Sequence, residues 1–247
     1  MKDIELSIRM KAVADMVTTK GVVADIGCDH AFVSIYLVKN NKAEKVIASD
    51  VRKGPCRIAR NNIDAYGLAD RIDLRLGDGL STIAKDEADT IIIAGMGGML
   101  INSILEAGIN VVRNAKQLVL QPQSDVDKVR NYILSKGFTI ASEDMVIDMG
   151  KYYTIINVKI CNNTECVAAE NAKGHEKDTC KVYSSFGRYL IDSKHPVLLQ
   201  YLKERMRTND EILQRLHSVE TLKTNERFKE LQEEQYIINK AIEMMNK

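Results

Sequence analysis

Short apolar runs alternate with longer amphipathic segments over the first 160 positions of the chain. Apolar runs that end in glycine, aspartate or proline are typical of buried strands in a parallel sheet. They predict strands over residues 22–27, 45–50, 71–80, 88–95, 116–122, 138–148 and 152–160. Apolar residues at helical spacing precede the first strand and lie between most of the later ones. They predict helices over residues 4–18, 31–40, 53–68, 98–112 and 125–137.

The order of these elements indicates an α/β fold. Strands that alternate with helices form a mostly parallel sheet with helices on both faces. The last two predicted strands follow each other without a helix, so they form an antiparallel hairpin. We therefore predict a Rossmann-like open sheet with a terminal hairpin in a first domain, residues 1–160.

The pattern changes after Ile160. Residues 161–181 are polar and lack clear periodicity, which predicts a linker or a loop-rich passage. From Val197 onward two apolar stripes recur at helical spacing, with charged residues on the other faces. They predict two long helices that pair as an antiparallel coiled coil, with a break near residues 218–224. Residues 161–247 are therefore expected to form a linker and a helical second domain.

Composition and charge exclude several broad classes of protein. The chain has 247 residues, 45% of them hydrophobic and 28% charged, as in ordinary globular proteins. A net charge of +1 gives no overall nucleic-acid signature, so a charged partner has to meet a local patch. The five cysteines include no Cys-x-x-Cys pair, so neither a disulfide framework nor a metal site is expected. The lack of an apolar leader and of a long apolar run predicts a cytoplasmic protein.

The first candidate ligand segment, DIGCDHAF from Asp25 to Phe32, follows a predicted strand. Open parallel sheets bind their ligands at the carboxyl ends of strands. Its single glycine argues against the Gly-x-Gly-x-x-Gly loop of dinucleotide sites and suits a smaller nucleoside. The alternative is an ordinary turn in which Asp25, Asp29 or His30 caps the next helix.

Two further acids lie at the next strand ends. Asp50 suits hydrogen bonds from both hydroxyl groups of a ribose, or it caps the helix that follows. Asp78 lies between Gly77 and Gly79 and suits an adenine amino group, although Asp-Gly is also a common turn pair. Acids and glycines at successive strand ends, all facing one crevice, favour a nucleoside site over three unrelated turns.

Together these segments resemble the class I S-adenosylmethionine-dependent methyltransferases, whose closing hairpin the predicted topology also matches. In that fold the same three strand ends hold the methionine, ribose and adenine parts of the cofactor. The resemblance therefore implies S-adenosyl-L-methionine as the cofactor. The implied cofactor-binding residues are Asp25, Gly27, Cys28, Asp29, His30, Asp50, Val51, Gly77, Asp78, Gly79, Ala94, Gly95 and Met96.

The stretch TIIIAGMGGMLI, Thr90 to Ile101, narrows the resemblance. It lacks the Asn/Asp-Pro-Pro-aromatic motif of many amino-directed nucleic-acid methyltransferases, so backbone carbonyls have to hold the target there. With DIGCDHAFVSIYL, LVLQPQSDVDKVRNYI and KYYTI, it resembles the bacterial tRNA (adenine-22-N1)-methyltransferase family, TrmK-like. The resemblance covers residues 1–160 and continues into the helical domain.

This family resemblance implies methyl transfer from S-adenosyl-L-methionine to N1 of an adenine, position 22, in the D-arm of tRNA. Gly97 and Gly98 are expected in the floor of the target site. Asp29 is the candidate carboxylate beside the adenine N6 amino group, with a helix cap as its alternative. Tyr153 is a candidate for stacking on an extruded base, with packing in the sheet as its alternative. These four residues form the predicted catalytic set.

Contacts with tRNA are predicted near the site, with a solvated helix face as the alternative for the basic residues. The predicted set is Arg9, Lys11, Arg52, Lys53, Arg57, Arg60, Gln121 and Pro122. The protein is expected to act as a monomer, without a membrane or a metal ion. Two rivals stay open: an S-adenosylmethionine-dependent methyltransferase of another substrate, and a protein that binds S-adenosylmethionine or RNA without catalysis.

Overall fold

A computed structural model describes residues 4–160, 177–216 and 222–247, without the side chains of residues 177 and 222–225. The chain divides into two compact units, Met1–Ala172 and Lys173–Lys247. Because residues 161–176 lie outside the described residues, a domain boundary after residue 160 stays a prediction. Among the helices of the described residues, each is too short or too polar to cross a membrane.

The first unit contains seven strands that form one sheet. They are β1 (Val22–Ile26), β2 (Lys45–Asp50), β3 (Ile72–Leu76), β4 (Thr90–Met96), β5 (Gln117–Pro122), β6 (Thr139–Asp148) and β7 (Lys151–Lys159). Their order in the sheet is β3-β2-β1-β4-β5-β7-β6. Strands β1 to β5 are parallel, and β7 pairs antiparallel with both β5 and β6. The predicted mostly parallel sheet with a terminal hairpin is confirmed.

Six helices cover the two faces of this sheet. They are α1 (Ile8–Asp15), α2 (Phe32–Lys39), α3 (Lys53–Ala65), α4 (Gly98–Ala107), α5 (Ile109–Val112) and α6 (Val126–Ser135). The isoleucines of β4 show how the core is shared. Ile91 and Ile93 pack with α4, α5 and α6, whereas Ile92 packs with α1, α2 and α3. Successive strand residues point to opposite faces, so an uninterrupted apolar run is needed in a strand that is covered on both sides.

The largest differences from the predicted boundaries concern three elements. Helix α1 begins at Ile8 rather than at residue 4, and its N-terminal Ser7 hydroxyl accepts a hydrogen bond from a first-turn backbone N–H. The single helix predicted over 98–112 is split between α4 and α5. At the split, Gly108 leaves helical geometry, and a Cβ at this position would collide with the Leu80 side chain. The strand predicted over 71–80 ends at Leu76, and Gly79–Thr82 forms a short 3-10 helix.

The described residues of the second unit, 177–216 and 222–247, form four helices where two were predicted. They are α7 (Lys177–Phe186), α8 (Arg188–Asp192), α9 (Pro196–Leu216) and α10 (Leu222–Asn246). Residues 177–181 therefore belong to a helix and not to a loop, which corrects that part of the prediction. The rest of the predicted linker, residues 161–176, lies outside the described residues, as do residues 218–221 of the predicted break, whereas residues 222–224 of that break belong to α10. Buried Leu202 and Leu231 lie in α9 and α10, which an Arg205–Glu234 ion pair also joins.

Candidate active site

A crevice of about 460 Å³ lies at the carboxyl ends of β1 to β4. The strand order reverses between β1 and β4, which is the position where open α/β sheets bind ligands. Twelve of the thirteen predicted cofactor residues line this crevice, and His30 does not. The twelve are Asp25, Gly27, Cys28, Asp29, Asp50, Val51, Gly77, Asp78, Gly79, Ala94, Gly95 and Met96.

The loop after β1 is shaped by backbone conformations that side chains rarely adopt. Gly27 has a φ of +75°, and a Cβ there would collide with the end of the Met96 side chain. Asp29 and Ala31 also have positive φ values, of 51° and 61°. Helix α2 has Ala31 at its N-cap position and no side-chain cap, so capping by Asp29 or His30 is wrong. Asp29 is instead half-exposed at the crevice, 3.6 Å from His30 Nε2.

Asp25 is a buried acid of the crevice, with 5% of its surface exposed. Its carboxylate accepts a hydrogen bond of 2.6 Å from the Ser34 hydroxyl and another from the Ser34 backbone N–H. It thereby binds the first turn of α2, although it does not occupy the N-cap position. Burial raises the pKa of Asp25 to about 6, the Ser34 hydrogen bonds oppose this shift, and nearby Asp50 adds to it.

Asp50 ends β2 and is nearly buried. Its two oxygens accept hydrogen bonds from the backbone N–H groups of Arg52, at 2.8 Å, and Asp29, at 3.2 Å. The Arg52 guanidinium lies 3.5 Å from Asp50 and 3.6 Å from Asp29. Asp50 therefore fixes the loop after β1 against the loop after β2. Each carboxylate oxygen has a further lone pair, which leaves capacity for ribose hydroxyl groups.

The segment after β3 offers a free carboxylate and apolar walls. The Asp78 side chain has no hydrogen-bond partner among the described residues, while its backbone carbonyl accepts a bond from Ser81. Exposed Val51 and Leu100 also line the crevice, as does Ile104. An acid beside apolar side chains matches a purine, which has a polar amino edge and two apolar faces.

The end of β4 is a β-bulge. The pairing of β4 with β5 shifts register between Ala94 and Met96, and Gly95 has a φ of +78°. Its backbone N–H donates to Gln121 Oε1 at 3.2 Å, and Arg9 Nη1 donates to the same oxygen at 2.8 Å. Gln121 Nε2 donates to the carbonyl of Pro122 at 3.0 Å. The Gln121 amide therefore holds the bulge in place.

Arg9 comes from α1 and lines the crevice. Its backbone N–H donates to Asp148 Oδ2 at 3.2 Å, and its guanidinium lies 5.4 Å from the centre of the Tyr153 ring. Tyr153 does not line the crevice, and Arg9 covers one face of its ring. Stacking of Tyr153 on a base does not fit this arrangement. The tyrosine instead supports Arg9 through a cation–π contact.

Several other predicted residues lie outside the crevice lining. Gln121 and Pro122 are buried, so direct contact with tRNA does not fit either side chain. Gly97 precedes α4, and buried Gly98 packs on the loop before α6, where a Cβ would lie 2.6 Å from the Ser124 carbonyl oxygen. Both glycines therefore serve the packing of α4. Neither glycine of the predicted floor lines the crevice, whereas the preceding residues Gly95 and Met96 do.

The predicted basic residues separate into two groups. Arg9 and Arg52 line the crevice. Lys53, Arg57 and Arg60 are exposed on α3 and do not line it, while Lys11 pairs with Asp15 at 2.5 Å. Sequence reasoning missed Gln123, which lines the crevice as the second glutamine of the Gln121-Pro122-Gln123 segment. It also missed apolar lining residues such as Val13, Val33 and Leu100, whose types carry no chemical signal.

Thiol and metal chemistry find no support in the crevice. Burial raises the pKa of the Cys28 thiol, and the neighbouring carboxylates of Asp25 and Asp50 raise it further. The pKa of Cys56 is also raised, chiefly by burial. Both thiols therefore stay protonated and are poor nucleophiles. Within the described residues, no group of three or more His, Cys, Asp or Glu side chains could hold a metal ion.

Comparisons with known proteins place this arrangement in a family. A family model described as "Methyltransferase domain" matches residues 6–156. The tRNA (adenine(22)-N(1))-methyltransferase of Bacillus subtilis (strain 168) is 30% identical over 98% of this chain and 99% of its own length. The crystal structure of the B. subtilis tRNA methyltransferase TrmK has a TM-score of 0.83 and 30% identity, over 97% of this chain and 100% of that one.

A structure with bound cofactor is also similar. A Streptococcus pneumoniae protein solved in complex with S-adenosyl-L-methionine has a TM-score of 0.79 and 28% identity, over 96% of this chain and 99% of that one. The similarity to these relatives thus extends over nearly the whole length of both partners and is not confined to the methyltransferase domain. The chain belongs to the tRNA (adenine(22)-N(1))-methyltransferase family.

Proposed function

We propose that this protein transfers the methyl group of S-adenosyl-L-methionine to N1 of adenine 22 in the D-arm of tRNA. The observation that carries the proposal is the crevice at the reversal point of the sheet, where Gly27, Asp50 and Asp78 lie at successive strand ends. The activity after which the B. subtilis relative is named and the cofactor bound to the S. pneumoniae relative support it.

The residues of the crevice fit each part of the cofactor. The missing Cβ of Gly27 allows the methionine part to lie against the loop after β1, where the buried Asp25 carboxylate suits its ammonium group. Asp50 accepts hydrogen bonds from the ribose hydroxyl groups. The free carboxylate of Asp78 accepts one from the adenine amino group, between the apolar side chains of Val51 and Leu100. When bound, the cofactor supplies an electrophilic methyl group.

The methyl transfer needs little acid–base catalysis from the protein. Adenine N1 carries an in-plane lone pair, so no proton has to leave before the methyl group is transferred. The protein has to align N1 with the methyl group and stabilise the positive charge that grows on the base. We assign the second role to Asp29, whose half-exposed carboxylate is held at the crevice by its backbone bond to Asp50.

The proposal also predicts how the protein binds tRNA and where in the cell it works. Exposed Lys53, Arg57 and Arg60 on α3 are suited to bind tRNA phosphates, and a steep salt dependence of tRNA affinity is expected. An enzyme that modifies tRNA would work in the cytoplasm. That the protein acts as a monomer stays a prediction.

Methyl incorporation from labelled S-adenosyl-L-methionine into an unmodified tRNA transcript tests the proposal, with nucleoside analysis of the product. We expect 1-methyladenosine, and none when adenosine 22 is replaced by guanosine. Asp29→Ala should abolish transfer and still bind the cofactor in calorimetry, whereas Asp64→Ala, at an exposed position of α3, should keep full activity.

Two results would replace the proposal by one of its rivals. If the wild-type protein binds the cofactor and leaves every tRNA unmethylated, a methyltransferase of another substrate takes its place. If it binds tRNA and not the cofactor, a non-catalytic RNA-binding protein does.

A further inference from the structure

The Gln121-Pro122-Gln123 segment at the end of β5 places two glutamines in opposite environments. Gln121 is completely buried, and its amide bonds to Gly95, Arg9 and Pro122. Gln123 is exposed and lines the crevice. Its backbone N–H donates to the Met96 carbonyl at 2.8 Å, and its side-chain amide has no partner among the described residues.

The Gln123 amide lies beside the Gly95 bulge. A Cβ on Gly95 would be 3.9 Å from Gln123 Nε2 and 3.5 Å from Arg9 Nη1. The end of β5 is separated from the ends of β2 and β3, which carry Asp50 and Asp78, by β1 and β4. Gln123 therefore belongs to the part of the crevice away from the ribose and adenine positions of the cofactor.

We propose that Gln123 reads the N6 and N7 edge of the target adenine and so points N1 at the methyl group. This inference rests on the proposed function. An adenine whose N1 faces the methyl group presents N7 and the N6 hydrogen beside N7 along its next edge. A glutamine amide matches that pair of atoms, because Oε1 accepts from N6–H while Nε2 donates to N7. Flipped bases are commonly read in this way by hydrogen bonds to an exposed edge.

The same contact helps the chemistry. Methylation at N1 places positive charge on the base, which makes the N6 hydrogens better donors. A carbonyl oxygen that accepts one of them is therefore stabilising in the transition state. The N6 group has two hydrogens, one beside N1 and one beside N7. The Asp29 carboxylate, on the loop after β1, and the Gln123 amide can each accept one of them.

Arg9, the other polar side chain that lines the crevice beside Gly95, cannot take this role. A guanidinium has donors only and cannot accept a hydrogen bond from N6–H. It is also committed to Gln121 Oε1 and to the Tyr153 ring. Among the described polar side chains that line the crevice beside Gly95, the Gln123 amide alone provides both a donor and an acceptor.

The test compares two tRNAs, one with adenosine and one with 7-deazaadenosine at position 22, in single-turnover reactions at saturating cofactor. The 7-deaza base keeps N1 and N6 and replaces the N7 acceptor by C–H. For the wild-type protein we expect transfer to the 7-deaza RNA to be about 2- to 10-fold slower, because one hydrogen bond of about 0.5–1.5 kcal/mol is lost. For Gln123→Met we expect the two RNAs to react equally, both slowly. Gln232→Met, at an exposed position of α10, should behave as the wild type.

Three results would overturn the inference. Equal wild-type rates on the two RNAs would show that N7 is not read. A Gln123→Met protein that still distinguishes the RNAs would show that another group reads it. A weaker affinity of Gln123→Met for S-adenosyl-L-methionine, with the discrimination intact, would assign the residue to the cofactor. Absence of any methylation of the adenosine RNA by the wild type is a separate outcome, which overturns the proposed function as well.

Discussion

The half of the crevice at the ends of β1, β2 and β3 presents acidic side chains, whereas the half at the ends of β4 and β5 presents backbone and amides. In the first, here named the cofactor half, Asp25 and Asp50 lie in the last residues of β1 and β2, and Asp78 follows β3. In the second, the target half, Gly95 carries no side chain and depends on Gln121 for its position. The cofactor, which binds in every catalytic cycle, is held by charged side chains. A base that has to enter, react and leave meets backbone and the Gln123 amide in the target half, together with the Asp29 carboxylate from the loop after β1.

The largest expected effect lies in the cofactor half, at Asp50. Asp50→Ala removes the acceptor for the ribose and for the backbone N–H groups of Arg52 and Asp29. Two lost hydrogen bonds to a charged group weaken binding by about 3 kcal/mol or more, or at least 100-fold. Calorimetry with S-adenosyl-L-methionine measures this loss. Asp64→Ala serves as the exposed control. An unchanged affinity of Asp50→Ala for S-adenosyl-L-methionine would show that Asp50 does not bind the cofactor.

In the target half, the largest change is expected from Gln121→Met. It leaves the Gly95 N–H and the Arg9 guanidinium without their common acceptor, which costs about 1–3 kcal/mol. Single-turnover transfer should slow by about 5- to 100-fold, while the cofactor dissociation constant stays the same. Arg9→Met should have a similar effect. Because the two residues share one bond, the double variant should lose less than the sum of the single losses. Full additivity would contradict this linkage.

A smaller, pH-dependent effect is expected at Asp25, whose pKa is raised to about 6 by burial. A raised pKa in the folded state means that Asp25 favours folding when protonated and opposes it as the pH rises from about 4 to 6. In the cofactor-free protein, Asp25→Asn changes the free energy of unfolding at both pH values. This change should be about 1–3 kcal/mol more stabilising at pH 8 than at pH 4. Urea unfolding at both pH values measures this. An equal change at both would contradict the raised pKa.

The same carboxylate predicts a weaker cofactor affinity in acid. If Asp25 binds the methionine ammonium, affinity for S-adenosyl-L-methionine should fall as the pH drops below about 6 in the wild type. In Asp25→Asn the affinity should be low and nearly independent of pH over the same range. A wild-type affinity that stays constant from pH 5 to pH 8 would separate Asp25 from the cofactor.

The smallest effect is expected from Gly54→Ala, at a glycine outside both halves. Gly54 lies in the first turn of α3, and a Cβ there meets nothing within 4 Å. Alanine should raise the free energy of unfolding by about 0.5 kcal/mol, because glycine disfavours a helix. Cofactor affinity and transfer rate should stay unchanged. Loss of either would show that α3 is coupled to the crevice.

The cofactor half could be predicted from the sequence because each of its features is local. Asp25, Asp50 and Asp78 each lie at or just after the end of an apolar run, and the parallel sheet brings those ends together. The geometry around each acid could not be predicted in the same way. The hydrogen bonds from Ser34 to Asp25 and from Asp29 to Asp50 depend on backbone angles that the sequence spacing does not report.

The target half could not be predicted because its contacts are distant in sequence. The Arg9–Gln121 bond joins residues 112 positions apart, and the Gly95–Gln121 bond joins residues 26 apart. A run of glycines indicates close packing without naming the neighbour. This is why Gln121 was assigned to tRNA although it is buried, and why Gln123 was missed although it lines the crevice.

The same limit applies to the fold. Periodicity predicted all seven strands, because each is an apolar run with its own end signal. It missed the break between α4 and α5, since Gly108 leaves the helix where it meets Leu80, a contact with a distant part of the chain. It also missed α7, whose ten residues include serines and a threonine that are weak helix formers.

Gly95→Ala, with the cofactor dissociation constant and the single-turnover rate measured on the same protein, tests the division into two halves most directly. Alanine is strained at a φ of +78° and adds a methyl group between Arg9 and Gln123. An alanine in the left-handed backbone conformation costs about 1–2 kcal/mol. Because this strain displaces the groups that position the target base, transfer should be about 5- to 30-fold slower. The account predicts this slower transfer with an unchanged cofactor affinity. A cofactor affinity that falls together with the rate would contradict it, because the two halves would then be one site.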